Sequence, residues 1–381
     1  MLNIVILGAG AIAATHVDAL LQSRDLCRIT AVCNRHLEKA QKLIREKELD
    51  AAAYSCLEEA FEQGIPDAVI ICTAPALHCV SAVWAMEHGS AVLVEKPMAN
   101  SLEECDRMIE ASHRSGKLLS VVCQMRFTTE TDRLKTLLQM QSFGPLQYGM
   151  VNSLWWRGPQ YHDPAWRGTW ASEGGGVLTS QALHHIDLLQ YLIGMPRRVT
   201  ASMGNVGHPN TQCEDVVGAV LEYSGAFVQV SASLVAQGEQ QSLRFYCRDG
   251  CLSIPWEPSA CRAMPNGYPM PDAGQVERIN RAYSALPELP LQKHPAQIRN
   301  FLLALMKEEP LAVNGEEGRK PIEIITAIYE AAATHRPVDL PLTKEDRFYT
   351  LEGKVSNLPI YNEKTHSVET TEAQTITFPK G

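Results

Sequence analysis

Asn3-Ile4-Val5-Ile6-Leu7-Gly8-Ala9-Gly10-Ala11-Ile12-Ala13 is the stretch on which the fold turns. Asn3–Leu7 is a short, mostly apolar run that ends in glycine, and helix-prone residues follow to about Gln22. The pattern reads as strand, Gly-rich turn, helix. Its G-x-G-x-x-A spacing is the alanine variant of the dinucleotide fingerprint. Gly8 then permits the tight turn, Gly10 lets a pyrophosphate approach the backbone, and Ala13 is small enough for helix to pack on strand. Ala11 and Ile12 open that helix, whose free N–H groups suit a phosphate. A second strand, Arg28–Cys33, ends 20 residues beyond Ala13, where a ribose-reading residue belongs. The usual acid is absent there, and the sequence is Cys33-Asn34-Arg35. Asn34 suits a 2′-hydroxyl, while Arg35 suits an adenine face or a 2′-phosphate, so NAD and NADP both stay open.

The alternation continues outward. Ala68–Cys72, Ala91–Glu95 and Leu118–Cys123 read as buried strands, with helices His78–His88 and Leu102–Ser115 between them. Such alternation implies a parallel sheet that binds ligands at the carboxyl ends of its strands. Two loops fall at that edge: Thr73-Ala74-Pro75, with His78 just beyond, and Glu95-Lys96-Pro97. A lysine directly after a buried strand, held by proline, points into the crevice. The first domain is expected over residues 1–124.

Past Gly144-Pro145 the texture changes. Gln147–Trp156 reads as a strand, an aromatic loop follows, and Glu173-Gly174-Gly175-Gly176 opens a helix over Val177–Ile193. Five further segments, Val199–Gly204, Val216–Tyr223, Phe227–Leu234, Ser242–Cys247 and Cys251–Ile254, read as antiparallel strands. Helices Pro295–Lys307 and Pro321–Thr334 close the unit. The expectation is therefore an α/β chain: an N-terminal Rossmann domain, then an α+β domain over 125–345 on a largely antiparallel, open-faced sheet. Residues 346–381 form a C-terminal extension, read as a tail from about 353.

Composition excludes several classes. With 381 residues, 45% hydrophobic and 20% charged, the chain is globular and long enough for two domains. A net charge of −9 without a basic run gives no footprint for nucleic acid or an anionic membrane. The 11 scattered cysteines lie mostly in apolar runs, which suits a reducing cytoplasm. No apolar run is long enough to span a bilayer.

Chemistry concentrates in the second domain. On a regular helix Ser180, His184 and Asp187 share one face, being four and then three residues apart. Oxidising a carbinol also requires its hydroxyl proton to leave, and a neutral histidine suits that task. His185 points elsewhere. A metal held by His184, Asp187 and His162 lacks dense ligand spacing, and no metal is expected. Trp155, Trp156, Trp166 and Trp170 flank Tyr161 in one short stretch. Aromatic faces of this kind stack on sugars, with Arg157, Arg167 and His162 as hydrogen-bond donors to hydroxyls.

Taken together, the motifs resemble the Gfo/Idh/MocA oxidoreductase family. The resemblance runs from residue 2 to about 345 and rests on the Gly8–Ala13 turn, Thr73-Ala74-Pro75, Glu95-Lys96-Pro97, Gln124-Met125-Arg126-Phe127, Gly174–Asp187 and Glu214-Asp215-Val216. It implies tightly held NAD or NADP, a small sugar or glycoside as substrate, and a homodimer or homotetramer. Lys96 then hydrogen-bonds the reacting oxygen, His184 is the acid/base, and Asp187 contacts substrate hydroxyls. Cofactor contacts fall to Gly8, Gly10, Ala11, Ile12, Asn34, Arg35, Thr73, Pro75, His78, Glu95, Lys96 and Gln124. Substrate contacts fall to Arg126, Trp156, Trp166, Arg167, Gln181, His184 and Asp187. One departure stands out: many members carry Asp where this chain has Ser180. The Gln181-x-x-His184 pattern is similar to glycoside and sugar-nucleotide 3-dehydrogenases, which implies oxidation at C3 of a glycoside. Sugar nucleotides, inositols and anhydroketoses are the alternatives, and a non-catalytic nucleotide-binding protein is the reading that Ser180 favours.

Overall fold

In the computed structural model, which describes residues 1–368, the N-terminal domain alternates strand and helix throughout. The elements are β1 Leu2–Leu7, α1 Ala11–Leu21, β2 Cys27–Cys33, α2 Leu37–Glu46, β3 Ala52–Tyr54, α3 Leu57–Glu62 and β4 Ala68–Ile71. α4 His78–Glu87, β5 Ala91–Val94, α5 Leu102–Ser115 and β6 Leu119–Val121 complete it. The strands pair in the order β3-β2-β1-β4-β5-β6, all parallel. Every residue of β4 and β5 is buried, as the unbroken apolar runs require when both sheet faces are covered. β3 and α3 were not expected; three residues of strand carry too little pattern to read.

The second domain begins with α6 Thr129–Gln139, another element the sequence reading lacked, and β7 Leu146–Trp156. α7 Trp170–Glu173 is a single turn, and α8 Leu183–Ile193 carries the paired histidines. β8 Arg198–Gly204, β9 Val216–Tyr223, β10 Ala226–Ser233, β11 Val235–Cys247 and β12 Gly250–Ile254 build the sheet. A small hairpin, β13 Cys261–Ala263 and β14 Pro269–Pro271, leads into α9 Ala273–Ser284, α10 Lys293–Leu305 and α11 Gly315–Thr334. β15 Val338–Asp339 and α12 Leu351–Asn357 end the described chain.

The large sheet runs β12-β11-β7-β10-β9-β8-β15 and is mixed, which corrects the largely antiparallel expectation. Its central pair, β7 and β10, is parallel, with Tyr148 to Leu154 opposite Phe227 to Ser233. Apolar alternation along a strand is the same in either pairing direction, so it does not reveal this. One face packs on helices through Val217, Ala219, Leu221, Val228 and Val230, all buried. The opposite face leaves Tyr148, Val220 and Phe227 at 36%, 43% and 52% exposure.

The chain then returns to the first domain. Ile298, Phe301 and Leu302 of α10 join the apolar cluster of Ile4, Ile6 and Val17. Gln297 reaches the free edge of β6, accepting from Cys123 N at 2.9 Å and donating to Val121 O at 2.8 Å. α11 begins at Gly315, capped by Asn314, so Pro321 sits inside it and not at its first position. Among the described residues no helix is long and apolar enough to cross a membrane.

Two expectations need correction here. Residues near 353 are no loose tail: Phe348, Tyr349, Lys354 and Leu358 are all buried, while 369–381 of the expected extension lie outside the described residues. The helix foreseen over 177–193 is interrupted as well. Leu178–Ala182 forms a π turn before α8 starts. The wider turn breaks the regular spacing assumed for Ser180, His184 and Asp187.

Candidate active site

The dinucleotide edge is built as the glycines imply. Gly8 has φ +99°, and a Cβ there would lie 2.7 Å from Cys72 O, so only glycine closes this turn. At Gly10 an added Cβ meets nothing within 4 Å, which leaves open space over the start of α1. That helix end has no side-chain cap and no acidic residue in its first turn, so the N–H groups of Ala11 and Ile12 are open to an anion, while Ala13 N donates to Gly10 O at 3.0 Å. Thr73 Oγ1 and Gln124 Oε1 are buried without a protein partner, as side chains awaiting a polar ligand would be. These features fit a bound dinucleotide. Ala11 and Arg35 are exposed and Ile12 half-buried, whereas Pro75 is buried at the start of a 3₁₀ turn.

Two residues expected at the cofactor also brace the loops around it. Asn34 Oδ1 accepts from Ala9 N at 3.0 Å, and its Nδ2 donates to His36 O at 2.9 Å, so the amide holds the Gly turn in shape. His78 is 1% exposed, and its ring nitrogens lie 2.8 Å from Pro97 O and 3.0 Å from Thr73 O. It ties the two loops of the sheet edge together.

Lys96 follows β5 and leaves the first domain toward the second. Its Nζ donates to Ser180 O at 3.2 Å, one turn ahead of His184. Burial lowers the Lys96 ammonium below the ordinary lysine value; Glu95 opposes this and Arg167 adds to it. The half-buried His184 is held well below the ordinary histidine value, by burial first and then by the charge of Lys96. The two groups therefore share one electrostatic environment, and His184 is a neutral base at pH 7. His185 faces the other way, onto Ser153 Oγ at 2.9 Å, as expected.

Beneath Lys96 lies a pair the sequence reading missed. Glu95 Oε1 is 2.6 Å from His16 Nε2, and Glu95 Oε2 accepts from Lys96 N at 3.1 Å. Burial pushes His16 down, but Cys72 and Glu95 outweigh it and raise the ring to about 10. Burial favours the neutral Glu95 carboxyl, yet His16 and Lys96 bring it down to about 2. His294 of α10 stands edge-on to His16 at 5.4 Å. His16, Glu95 and His294 offer ligand atoms within 4.8 Å of one another, and His16 faces Glu95 as its hydrogen-bond partner. The trio of His184, Asp187 and His162 does not form. Only the position of His16 on the buried face of α1 signals any of this.

The aromatic loop supplies the outer wall. Arg167 lies over the rings of Tyr161 at 4.0 Å and Trp166 at 4.1 Å, and its Nη1 donates to Glu173 Oε1 at 2.8 Å. Gln181 Nε2 donates to Tyr161 OH at 3.0 Å. Trp156 and Trp166 are exposed, at 46% and 38%. Trp170 instead fills the core at 1%, and His162 is buried with both ring nitrogens unpartnered and its pKa pushed down to about 3, by burial first.

Arg126 and Asp187 also turn inward. They form a buried ion pair at 2.6 Å, and Arg126 Nη1 donates to Glu317 Oε2 at 2.8 Å. They pin α8 to α11. Asp187→Ala leaves Arg126 with Glu317 alone, and breaking such a buried pair costs about 3–5 kcal/mol. A guanidinium denaturation midpoint lowered accordingly is the expected result, and an unchanged midpoint would contradict the structural role.

A Rossmann sheet with an unpartnered dinucleotide edge, facing a lysine–histidine pair from two domains, defines a nicotinamide-dependent oxidoreductase. Residues 2–123 match the oxidoreductase family with the NAD-binding Rossmann fold, and 131–253 match the GFO/IDH/MocA C-terminal domain. The chain belongs to the Gfo/Idh/MocA family. It is 24% identical over 359 residues to the D-glucoside 3-dehydrogenase of Escherichia coli, spanning 89% of this chain and 97% of that protein. It is 27% identical over 253 residues to the 2,7-anhydro-N-acetylneuraminate hydratase of Mediterraneibacter gnavus, covering 63% and 66% of the two chains. The WlbA dehydrogenase of Bordetella pertussis, solved with NADH and UDP-GlcNAcA, superposes with a TM-score of 0.76 at 25% identity, covering 90% of this chain and 99% of that one.

Proposed function

We propose that this protein oxidises the C3 hydroxyl of a neutral glycoside to the 3-keto sugar, with NAD as electron acceptor. The observation that carries the reading is the hydrogen bond from Lys96 Nζ to Ser180 O, which brings the lysine of the first domain to the segment of the second that carries His184. Lys96 donates a hydrogen bond to the hydroxyl oxygen and stabilises the negative charge that develops there. His184, neutral at working pH, takes the hydroxyl proton. Bound NAD supplies the two-electron acceptor for the carbinol hydrogen.

Ser180 bears on the same chemistry. Its Oγ donates to Gly176 O at 2.8 Å, and its carbonyl receives Lys96. Lys96 thus meets a neutral backbone carbonyl, and the side chain of Ser180 brings it no negative charge. Its charge is less compensated, and it releases its proton more readily. Ser180 therefore does not argue against catalysis.

Charge favours neutral glycosides over sugar nucleotides. A diphosphate needs converging free cations. Arg157 pairs with Glu239 at 2.7 Å, Arg167 with Glu173 at 2.8 Å, Arg198 with Asp339 at 2.6 Å, and Arg197 lies 3.9 Å from Glu222. A panel of glycosides and one UDP-sugar, incubated with protein and NAD, tests the reading through absorbance of the reduced nicotinamide. Turnover of glycosides supports it, and turnover of the UDP-sugar alone overturns it. We further propose that copies of the chain associate through the exposed sheet face of Tyr148, Val220 and Phe227. Sedimentation of a Phe227→Asp variant as a smaller species than wild type is the expected result; equal mass would contradict it.

A further inference from the structure

Lys96 and His184 sit in different domains, and two backbone segments decide how far apart they stand. One is the run from Lys96 to Asn100 after β5, and the other is Gly174-Gly175-Gly176 ahead of α8. A third segment touches both. Lys354 of α12 is 3% exposed, and its Nζ donates to Asn100 O at 2.7 Å and to Gly174 O at 3.1 Å. The two acceptors are themselves in contact, for a Cβ on Gly174 would lie 2.5 Å from Asn100 Oδ1. On the far side Glu214 accepts from Gly176 N at 2.9 Å and Leu178 N at 3.1 Å. Tyr329 completes the ring: its hydroxyl donates to Glu214 Oε1 at 2.9 Å, and its ring lies 5.5 Å from Lys354 Nζ. The glycine segment is therefore gripped by a cation at one end and a carboxylate at the other.

Stability alone is a poor account of this arrangement. A buried ammonium facing neutral carbonyls loses its hydration without a direct counter-ion, and that loss offsets much of what its two hydrogen bonds contribute. What the ammonium adds is geometry, because one donor group holds two carbonyls from two domains. α12 is itself well fixed: Thr350 caps it, and Phe348, Tyr349 and Leu358 anchor it in the core. The same strap continues to the aromatic loop, where Val368 N donates to Asp163 O at 2.9 Å.

We propose that Lys354 is a positioning residue, through which the C-terminal extension sets the separation of Lys96 and His184. The inference rests on the reading of those two groups as the catalytic pair. A displacement of about 1 Å at a reacting centre is enough to lower turnover about 100-fold.

The test uses the full chain with Lys354→Met, similar in length but uncharged. The variant is expected to bind NAD as wild type does, with kcat on a glycoside reduced about 10- to 100-fold and KM changed less. As Lys96 recedes, its charge depresses His184 less, so the acid limb of kcat/KM moves to higher pH. The same shift is read without substrate by titrating His184 in ¹⁵N-edited NMR spectra. A purely structural role would lower the folded fraction and leave the histidine titration where it is. Unchanged titration and turnover in Lys354→Met therefore overturn the proposal. So does failure of both Lys354→Met and Lys354→Gln to fold, which would make the residue a fold determinant. Should no glycoside be turned over by wild type while the titration still shifts, the functional reading fails and the positioning role stands.

Discussion

Lys96→Met is expected to lower glycoside oxidation about 100- to 1,000-fold while NAD still binds, the loss typical of removing one donor to a developing oxyanion. The lysine's Nζ donates to Ser180 O of the second domain. The groups suited to the cofactor, Thr73 Oγ1, Gln124 Oε1 and the open turn at Gly10, are untouched by the change. A fluorescence titration with NADH separates the two effects. Loss of both binding and turnover would assign Lys96 to the cofactor instead. The substitution also predicts a change in pH dependence. Lys96 carries a cation that depresses His184, so its removal raises the histidine pKa and moves the acid limb of any residual activity to higher pH. At the other end, the wild-type alkaline limb falls below the ordinary lysine value, because burial lowers Lys96 itself.

His184→Asn removes the base and is expected to lower kcat about 100- to 10,000-fold. Asparagine is close to histidine in size and cannot accept the proton, so the sugar's KM changes far less than kcat. In wild type the acid limb lies below the ordinary histidine range, since His184 is held well below it by burial and by Lys96. The sign is fixed by the direction of that shift: the neutral base persists as pH falls, until the ring finally takes a proton. His184→Asn should abolish this limb. A variant with wild-type kcat and the same limb would remove the acid/base assignment.

Much of this was legible in the chain. The Gly8–Ala13 turn and the unbroken apolar runs of β4 and β5 dictate a parallel sheet, because a strand covered on both faces has no polar alternation. Lys96 was legible for the same reason, standing where a buried strand meets proline. Long-range partners were not. Asp187 reads as one more polar residue beside His184 until Arg126, 61 residues earlier, is seen to claim it. Likewise His16, Glu95 and His294 come from three distant elements, and no local period links them. Lys354 was hidden by composition, since a stretch with few periodic apolars looks like a tail whether or not its few anchors are buried. The parallel pairing of β7 with β10 was beyond reach too, because register depends on the long crossover between them.

The most direct measurement follows the hydrogen itself. Methyl glucoside carrying deuterium only at C3 is incubated with the protein and NAD, and the dinucleotide is then recovered for mass spectrometry. Removal of the C3 hydrogen by this pair of residues requires the reduced dinucleotide to gain one deuterium, and the Lys96→Met protein to lose that transfer. Reduced dinucleotide formed without deuterium, or transfer that persists undiminished in the variant, would contradict the account.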